Sequence, residues 1–246
     1  MLQATAQGLY LHIPFCHQRC HFCAFYLEIH HARAAEEFVS SLLTELRMYG
    51  KSGVLEARPL DSIYFGGGTP TTLSSDQLAT ILATASTTFE LCLDAEVTVE
   101  AHPESVTRDS LAHLRQSGFT RLSFGAESMD QTELNRVGRP GSPGSTIATM
   151  AVAREAGFTN INLDLMYGLP GQTLESWATS LRHTIELQPN HLSCYALTIE
   201  EGTPFFGLHQ NGKIVLPDAE AAARQLVENL LRDRWPGLSE SDVYSE

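Results

Sequence analysis

Six short apolar, β-rich runs alternate with helical patterns along nearly the whole chain, and no other feature restricts its possible folds so strongly. The runs fall at 8–13, 62–65, 96–101, 121–125, 160–166 and 191–197, most of them bounded by Gly, Pro or Asn. Helical spacing follows each of them. Phe38, Leu42, Leu43 and Leu46 mark a helix over 36–49, and Ser74-Ser75-Asp76 is an N-cap signal ahead of Leu78, Ile81 and Leu82. Further helices are expected at 107–116 before Gly118, 145–156 before Gly157, 174–187 before Pro189, and 219–232. Strand–helix units with short connections call for a parallel sheet with right-handed crossovers, either open and doubly wound or barrel-like. A closed barrel needs eight units, so six in barrel form would make only a partial (β/α)6 TIM-like barrel, open on one side. No linker, low-complexity tract or repeat divides the 246 residues. One core domain is expected over 1–233, with an acidic, frayed tail at 234–246.

Charge narrows the partners. With 16 Lys+Arg against 29 Asp+Glu, the formal charge of −13 repels phosphate backbones and anionic lipid, and nucleic acid is not an expected partner. No apolar run reaches the roughly 18 residues that span a bilayer, and residues 1–7 have neither the basic nor the apolar part of a signal peptide, so a cytoplasmic location is expected. Five cysteines are an odd number, which points to reduced thiols with chemical roles rather than to a disulfide scaffold.

Three of those thiols, Cys16, Cys20 and Cys23, ride on one short loop after the first strand, where parallel α/β proteins place their chemistry. Three readings stand side by side. The thiols could be merely buried; they could bind structural zinc with His12, His17 or His21 as fourth ligand; or they could hold a four-iron, four-sulfur cluster. Such a cluster usually takes four thiolates, so three leave one iron open to an exogenous N,O donor. Gly66-Gly67-Gly68-Thr69-Pro70 follows the second strand. Its glycines admit a close ligand and are expected to expose successive N–H donors, or else they make a tight turn into the next helix. Glu100, Glu127 and Asp164 interrupt apolar runs at strand ends, where an isolated carboxylate is costly and a ligand or Arg139 is the expected partner. His102 is a candidate proton carrier or a locally bonded histidine, and Cys92 and Cys194 read as core.

Taken in order, Cys16-x-x-x-Cys20-x-x-Cys23 after Tyr10-Leu11-His12-Ile13-Pro14-Phe15, then Gly66-Gly67-Gly68-Thr69-Pro70, Glu100-Ala101-His102-Pro103 and the stretch from Asn162 to Thr173 resemble the radical S-adenosylmethionine superfamily. Within it they are similar to the coproporphyrinogen dehydrogenase and haem-chaperone (HemW-like) branch. The resemblance implies a partial six-unit barrel, a [4Fe-4S] cluster on Cys16, Cys20 and Cys23, and S-adenosylmethionine on the open iron. It implies that Gly67, Gly68 and Thr69 hold the methionyl end, that Tyr10, Glu100, Glu127, Arg139 and Asp164 line the cofactor site, and that Phe22 lies near the adenine. Which residue, if any, is catalytic is left unassigned. The expected partners are a tetrapyrrole, haem or coproporphyrinogen, and a reduced donor such as flavodoxin or ferredoxin.

Three departures bear on function. Decarboxylating dehydrogenases of the branch carry a further cysteine two residues after the third, where this chain has Phe25, as in the haem-chaperone type. Glu127 stands where the branch has glutamine, adding a negative charge beside a cationic sulfonium. No His-Asn-x-x-Tyr-Trp segment, which the family associates with haem handling, precedes Glu246, so the chain is expected to be the six-unit portion of a longer pattern with the C-terminal domain largely absent. The leading expectation is a haem-chaperone-like radical protein. An oxygen-independent coproporphyrinogen III oxidase and a Cys3His zinc protein are the alternatives.

Overall fold

The computed structural model describes residues 6–52 and 58–217; the helix expected at 219–232 and the tail expected at 234–246 lie outside them. The chain divides into two compact units, 1–18, 26–122 and 152–159 in the first, and 19–25, 123–151 and 160–246 in the second. The first unit holds β1 (Gly8–Ile13), β2 (Phe15–Cys16), β3 (Glu28–Ile29), α1 (Ala32–Ser52), β4 (Leu60–Gly67), α2 (Ser75–Thr88), β5 (Leu91–Ala101) and α3 (Arg108–Gln116). Its sheet runs β1-β4-β5, all parallel, with Leu11 beside Phe65 and Phe65 beside Val99. Side chains alternate across a strand, so this register sorts the two faces. Leu11, Ile13, Ile63, Phe65, Val97 and Val99 share one face and are buried, with Phe65 packed on Phe119 at a ring separation of 5.0 Å. The opposite face carries Tyr10, His12, Tyr64, Thr98 and Glu100. A parallel sheet covered on both sides by apolar layers would read as continuous hydrophobic runs; a polar second face marks where ligand chemistry belongs.

The second unit contains most of β6 (Arg121–Glu127), then α4 (Gln131–Arg136), most of α5 (Pro143–Glu155), β7 (Asn160–Tyr167), α6 (Leu174–Glu186), β8 (His191–Ala196) and α7 (Pro204–Gln210). Its strands are ordered β6-β7-β8, and β7 pairs with β8 in parallel, Asp164 beside Ser193 and Leu165 beside Cys194. The same alternation recurs. Leu163, Leu165, Leu192 and Cys194 are buried on one face, while Asn162, Asp164, His191 and Ser193 lie on the other.

All six expected strands form, and five expected helices form within the described residues, several with the caps their sequences advertise. Ser74 accepts from the Gln77 N–H while its own N–H donates to the Gln77 side chain, and Thr107 with Ser110 and Thr173 with Ser176 repeat that box. Helices α4 and α7, of six and seven residues, were not expected: under two turns cannot display a helical period. No helix among the described residues is long and apolar enough to cross a membrane. Phe65→Ala should destabilise the first unit by about 3–5 kcal/mol through lost burial and a residual cavity, read as a lower denaturant midpoint with an unchanged slope.

Candidate functional site

In the first unit the end of β1 leads straight into the cysteine loop. β2 and β3 clamp its neck in a two-residue parallel pair, supported by Glu28 N–H to Pro14 O at 2.7 Å and His30 N–H to Cys16 O at 2.8 Å. The glycine loop lies directly against that neck. The Gly68 N–H donates to Ile13 O at 2.8 Å, the Thr69 N–H to Phe15 O at 2.7 Å, and the Thr69 hydroxyl lies 3.4 Å from Cys16 Sγ. A Cβ on Gly68 would sit 2.7 Å from Phe15 O and 3.1 Å from Cys16 Sγ, and one on Gly67 would meet the His12 ring at 2.7 Å, where φ of +116° already favours glycine. A Cβ on Gly66 would strike the rings of Tyr64 and Tyr10.

One expectation is corrected here. The successive N–H groups are not offered to a ligand, because Gly67 donates to Glu100 Oε2 at 3.1 Å and the next two donate to Ile13 O at the end of β1 and to Phe15 O in β2. The glycines supply close approach rather than donors. Glu100 also accepts from Tyr64 OH at 2.7 Å, and Tyr64 stacks on Tyr10 at 5.9 Å, which gathers Tyr10, Glu100, Gly67, Gly68, Thr69 and Cys16 into one half-site. Burial, and then the nearby Glu100 carboxylate, push the Tyr10 hydroxyl above its ordinary pKa.

The second unit brings together another group. Cys20 and Cys23 flank a turn closed by Cys23 N–H to Cys20 O at 3.2 Å, and the turn is pinned by His21 N–H to Val137 O and Phe205 N–H to His21 O, both 3.0 Å. Phe22, partly buried, packs against the cluster formed by Val137, Met166, Leu169, Leu197 and Phe205, so this ring anchors the loop to the core. Arg139 reaches the same turn. Its Nη1 donates to Cys20 Sγ at 3.8 Å, its Nη2 to Gly125 O at 2.6 Å, and Glu127 Oε1 lies 3.5 Å from Nη2. Burial raises the Cys20 thiol pKa, and the guanidinium pulls it back down. Asp164 stands with a different set, accepting from Asn162 Nδ2 at 2.6 Å and Ser123 Oγ at 3.3 Å.

The histidines do not favour zinc. His12 is engaged at both ring nitrogens, with Tyr10 OH at 3.5 Å and Tyr26 O at 3.1 Å; His21 Nδ1 faces Arg136 O, and the His17 ring leans on His30. Among the described residues no three His, Cys, Asp or Glu side chains, the three cysteines included, stand close enough to hold a metal ion, which separates neither the zinc nor the cluster reading. His102 is locally bonded, accepting from the Glu104 N–H at 3.1 Å.

A family model of the radical SAM superfamily matches residues 10–183. The chain belongs to that superfamily. It is 36% identical over 219 residues to the heme chaperone HemW of Bacillus subtilis (strain 168), covering 88% of this chain and 57% of the relative. It is 35% identical over 201 residues to the oxygen-independent coproporphyrinogen III oxidase of Escherichia coli (strain K12), covering 79% of this chain and 44% of that protein. Among solved structures, coproporphyrinogen III oxidase (HemN) from Escherichia coli, a radical SAM enzyme, superimposes with a TM-score of 0.81 at 30% identity, over 93% of this chain and 52% of the other. The chain thus spans about half the length of the proteins it matches. Its α/β fold with a mostly parallel sheet is the radical SAM fold.

The superfamily implies a [4Fe-4S] cluster and S-adenosylmethionine, and the residues present suit both. Cys16, Cys20 and Cys23 are not joined in disulfides. At Gly68, against Cys16, a Cβ would run into the Phe15 backbone, and a cation stands at Cys20, which eases the deprotonation that iron requires.

Sequence reasoning missed Glu133 and read Asn162 only as the start of the stretch from Asn162 to Thr173. Glu133, 2% exposed, accepts from Ser128 Oγ and Ser176 Oγ, both at 2.6 Å, and from Gln172 Nε2 at 3.0 Å, tying α4 to α6 and the loop before it. Asp130, the N-cap that seats Glu133 in the first turn, was its one sequence signal. Cys92 is not core; it is half-buried, with Sγ 3.7 Å from Asp61 Oδ1.

Two outcomes follow from this packing. Gly68→Ala should displace the Phe15–Cys16 backbone and destabilise the protein by roughly 1–3 kcal/mol in chemical denaturation. Cys194 is core as expected, its thiol pushed from 9.0 to about 12 by burial and, second, by Asp164. At pH 8 its thiolate fraction is then roughly one in ten thousand, so iodoacetamide should label it only after unfolding. Because the folded pKa is raised, this group's stabilisation is complete below pH 9 and is lost as pH rises towards about 12.

Proposed function

We propose that this chain is the cluster- and S-adenosylmethionine-binding part of a haem-chaperone-type, HemW-like protein of tetrapyrrole metabolism. The observation that carries the reading is the 36% identity to HemW over 88% of the chain, together with Phe25 in place of a further cysteine. Cys16, Cys20 and Cys23 would hold a [4Fe-4S] cluster as thiolates, leaving one iron for an exogenous ligand. When bound there, S-adenosylmethionine supplies a 5′-deoxyadenosyl radical on reductive cleavage of its sulfonium.

The chain's own residues bind and orient. The glycine loop at 66–68 admits the methionyl end to van der Waals distance of backbone, and Thr69 adds a hydroxyl beside Cys16. Arg139 suits a carboxylate, and the carboxylate of Glu100 on the polar strand face suits a cationic group. Tyr10, Phe22 and Asp164 complete the cofactor set, with Glu127 held beside Arg139. Haem or another tetrapyrrole is the cargo of this reading, and a reduced flavodoxin or ferredoxin its electron donor. A second reading, a coproporphyrinogen III oxidase, draws support from the 0.81 superposition on HemN.

Anaerobic reconstitution should give a brown protein with about four irons and four sulfides per chain, and Cys20→Ala should lose the iron, since two thiolates are too few for the cube. A colourless protein with one zinc would contradict the reading. Turnover of coproporphyrinogen with release of 5′-deoxyadenosine and carbon dioxide would instead favour the oxidase.

A further inference from the structure

Arg139 is a fork with one tine on a cysteine. Its Nη2 is pinned by Gly125 O at 2.6 Å and faces Glu127 Oε1 at 3.5 Å, and this fixes the plane that delivers Nη1 to Cys20 Sγ at 3.8 Å. Three further features make this a built arrangement. Gly125 has no side chain, and a Cβ there would overlap Arg139 Nη2 and come within 3.0 Å of Glu127 Oε1. Glu127 adopts φ of +63°, a conformation uncommon for a residue with a Cβ, at the very end of β6. Both side chains are nearly enclosed, 14% and 11% exposed, where solvent and salt screen charges weakly.

We infer that Glu127 and Arg139 act as an opposed charge pair on Cys20 that sets the reduction potential of the centre its thiolate helps to hold, with Glu127 acting through Arg139 as a positioning residue rather than as a cofactor ligand. The inference rests on the cluster reading above. Reduction adds one negative charge to a cluster, so a neighbouring cation favours the reduced form and raises the potential, while a neighbouring carboxylate lowers it. A glutamine at position 127 would keep a hydrogen-bonding group for Arg139 without the charge. The carboxylate in this chain therefore makes the centre harder to reduce than its neutral counterpart would be, and divides the guanidinium between Cys20 and Glu127.

The test is an anaerobic redox titration of the reconstituted 246-residue chain, followed by electron paramagnetic resonance, for the parent, E127Q, R139Q and R139K, with iron content and melting temperature measured alongside. E127Q should raise and R139Q lower the reduced-to-oxidised ratio at a fixed potential by about threefold to tenfold, equivalent to roughly 30–60 mV at 59 mV per decade. R139K, which keeps the charge but loses the fork, should shift less than R139Q; if R139Q retains no cluster, E127Q and R139K carry the comparison. Equal iron content with no shift in E127Q, or shifts of the same sign in E127Q and R139Q, would overturn the inference. A parent protein that takes up no iron and sulfide would overturn the cluster reading itself.

Discussion

The backbone of the glycine loop touches the backbone that carries the first cysteine, and the first unit's half-site depends on that approach. Ile13 and Phe15 give their carbonyls to Gly68 and Thr69, which is possible because Gly68 leaves 2.7 Å between Phe15 O and the place a Cβ would occupy. Once β1 and β4 are paired through Ile13 and Gly67, the same contact presents the Thr69 hydroxyl to the Cys16 sulfur and lets Glu100 cap the Gly67 N–H. A conformational restraint and a chemical one thus share three glycines.

In the second unit the controlling factor is charge in a sheltered place. Cys20 is buried, and burial works against the thiolate that metal binding requires. Arg139 offsets that penalty from a position fixed by a β6 carbonyl, and Glu127 answers the guanidinium in turn. The negative charge that looked misplaced beside a sulfonium has a partner in the chain itself. Glu133 holds the α4 segment that leads to Arg139, with all three of its donors neutral hydroxyl or amide groups.

The fold was legible because short β-rich runs bounded by Gly, Pro or Asn are separated by helical spacing. Leu11, Ile13, Ile63 and Phe65 against Tyr10, His12 and Tyr64 show one packed and one polar face at a two-residue period, and the helices between carry their own caps. Short elements left no such trace: α4, α7 and the two-residue pair β2 and β3 are set by tertiary contacts rather than by periodicity. The cysteine and glycine motifs were legible as chemistry, yet the fate of the N–H groups was not, because hydrogen-bond partners distant in sequence decide it. Asn162 shows the same limit. Its buried amide donates to Ser123 and Asp164 and accepts from Ser193, with His191 Nδ1 also 2.6 Å from its oxygen, a hub that exists only once three strands are side by side.

Under the proposed function, three thiolates hold a cluster with one iron left for S-adenosylmethionine. The electron paramagnetic resonance spectrum of the reduced, reconstituted protein, recorded with and without S-adenosylmethionine, addresses it most directly. A [4Fe-4S]⁺ signal whose g-values change when the ligand is added is the predicted result, because an N,O donor alters the ligand field of the open iron. A cluster signal indifferent to saturating S-adenosylmethionine would contradict it.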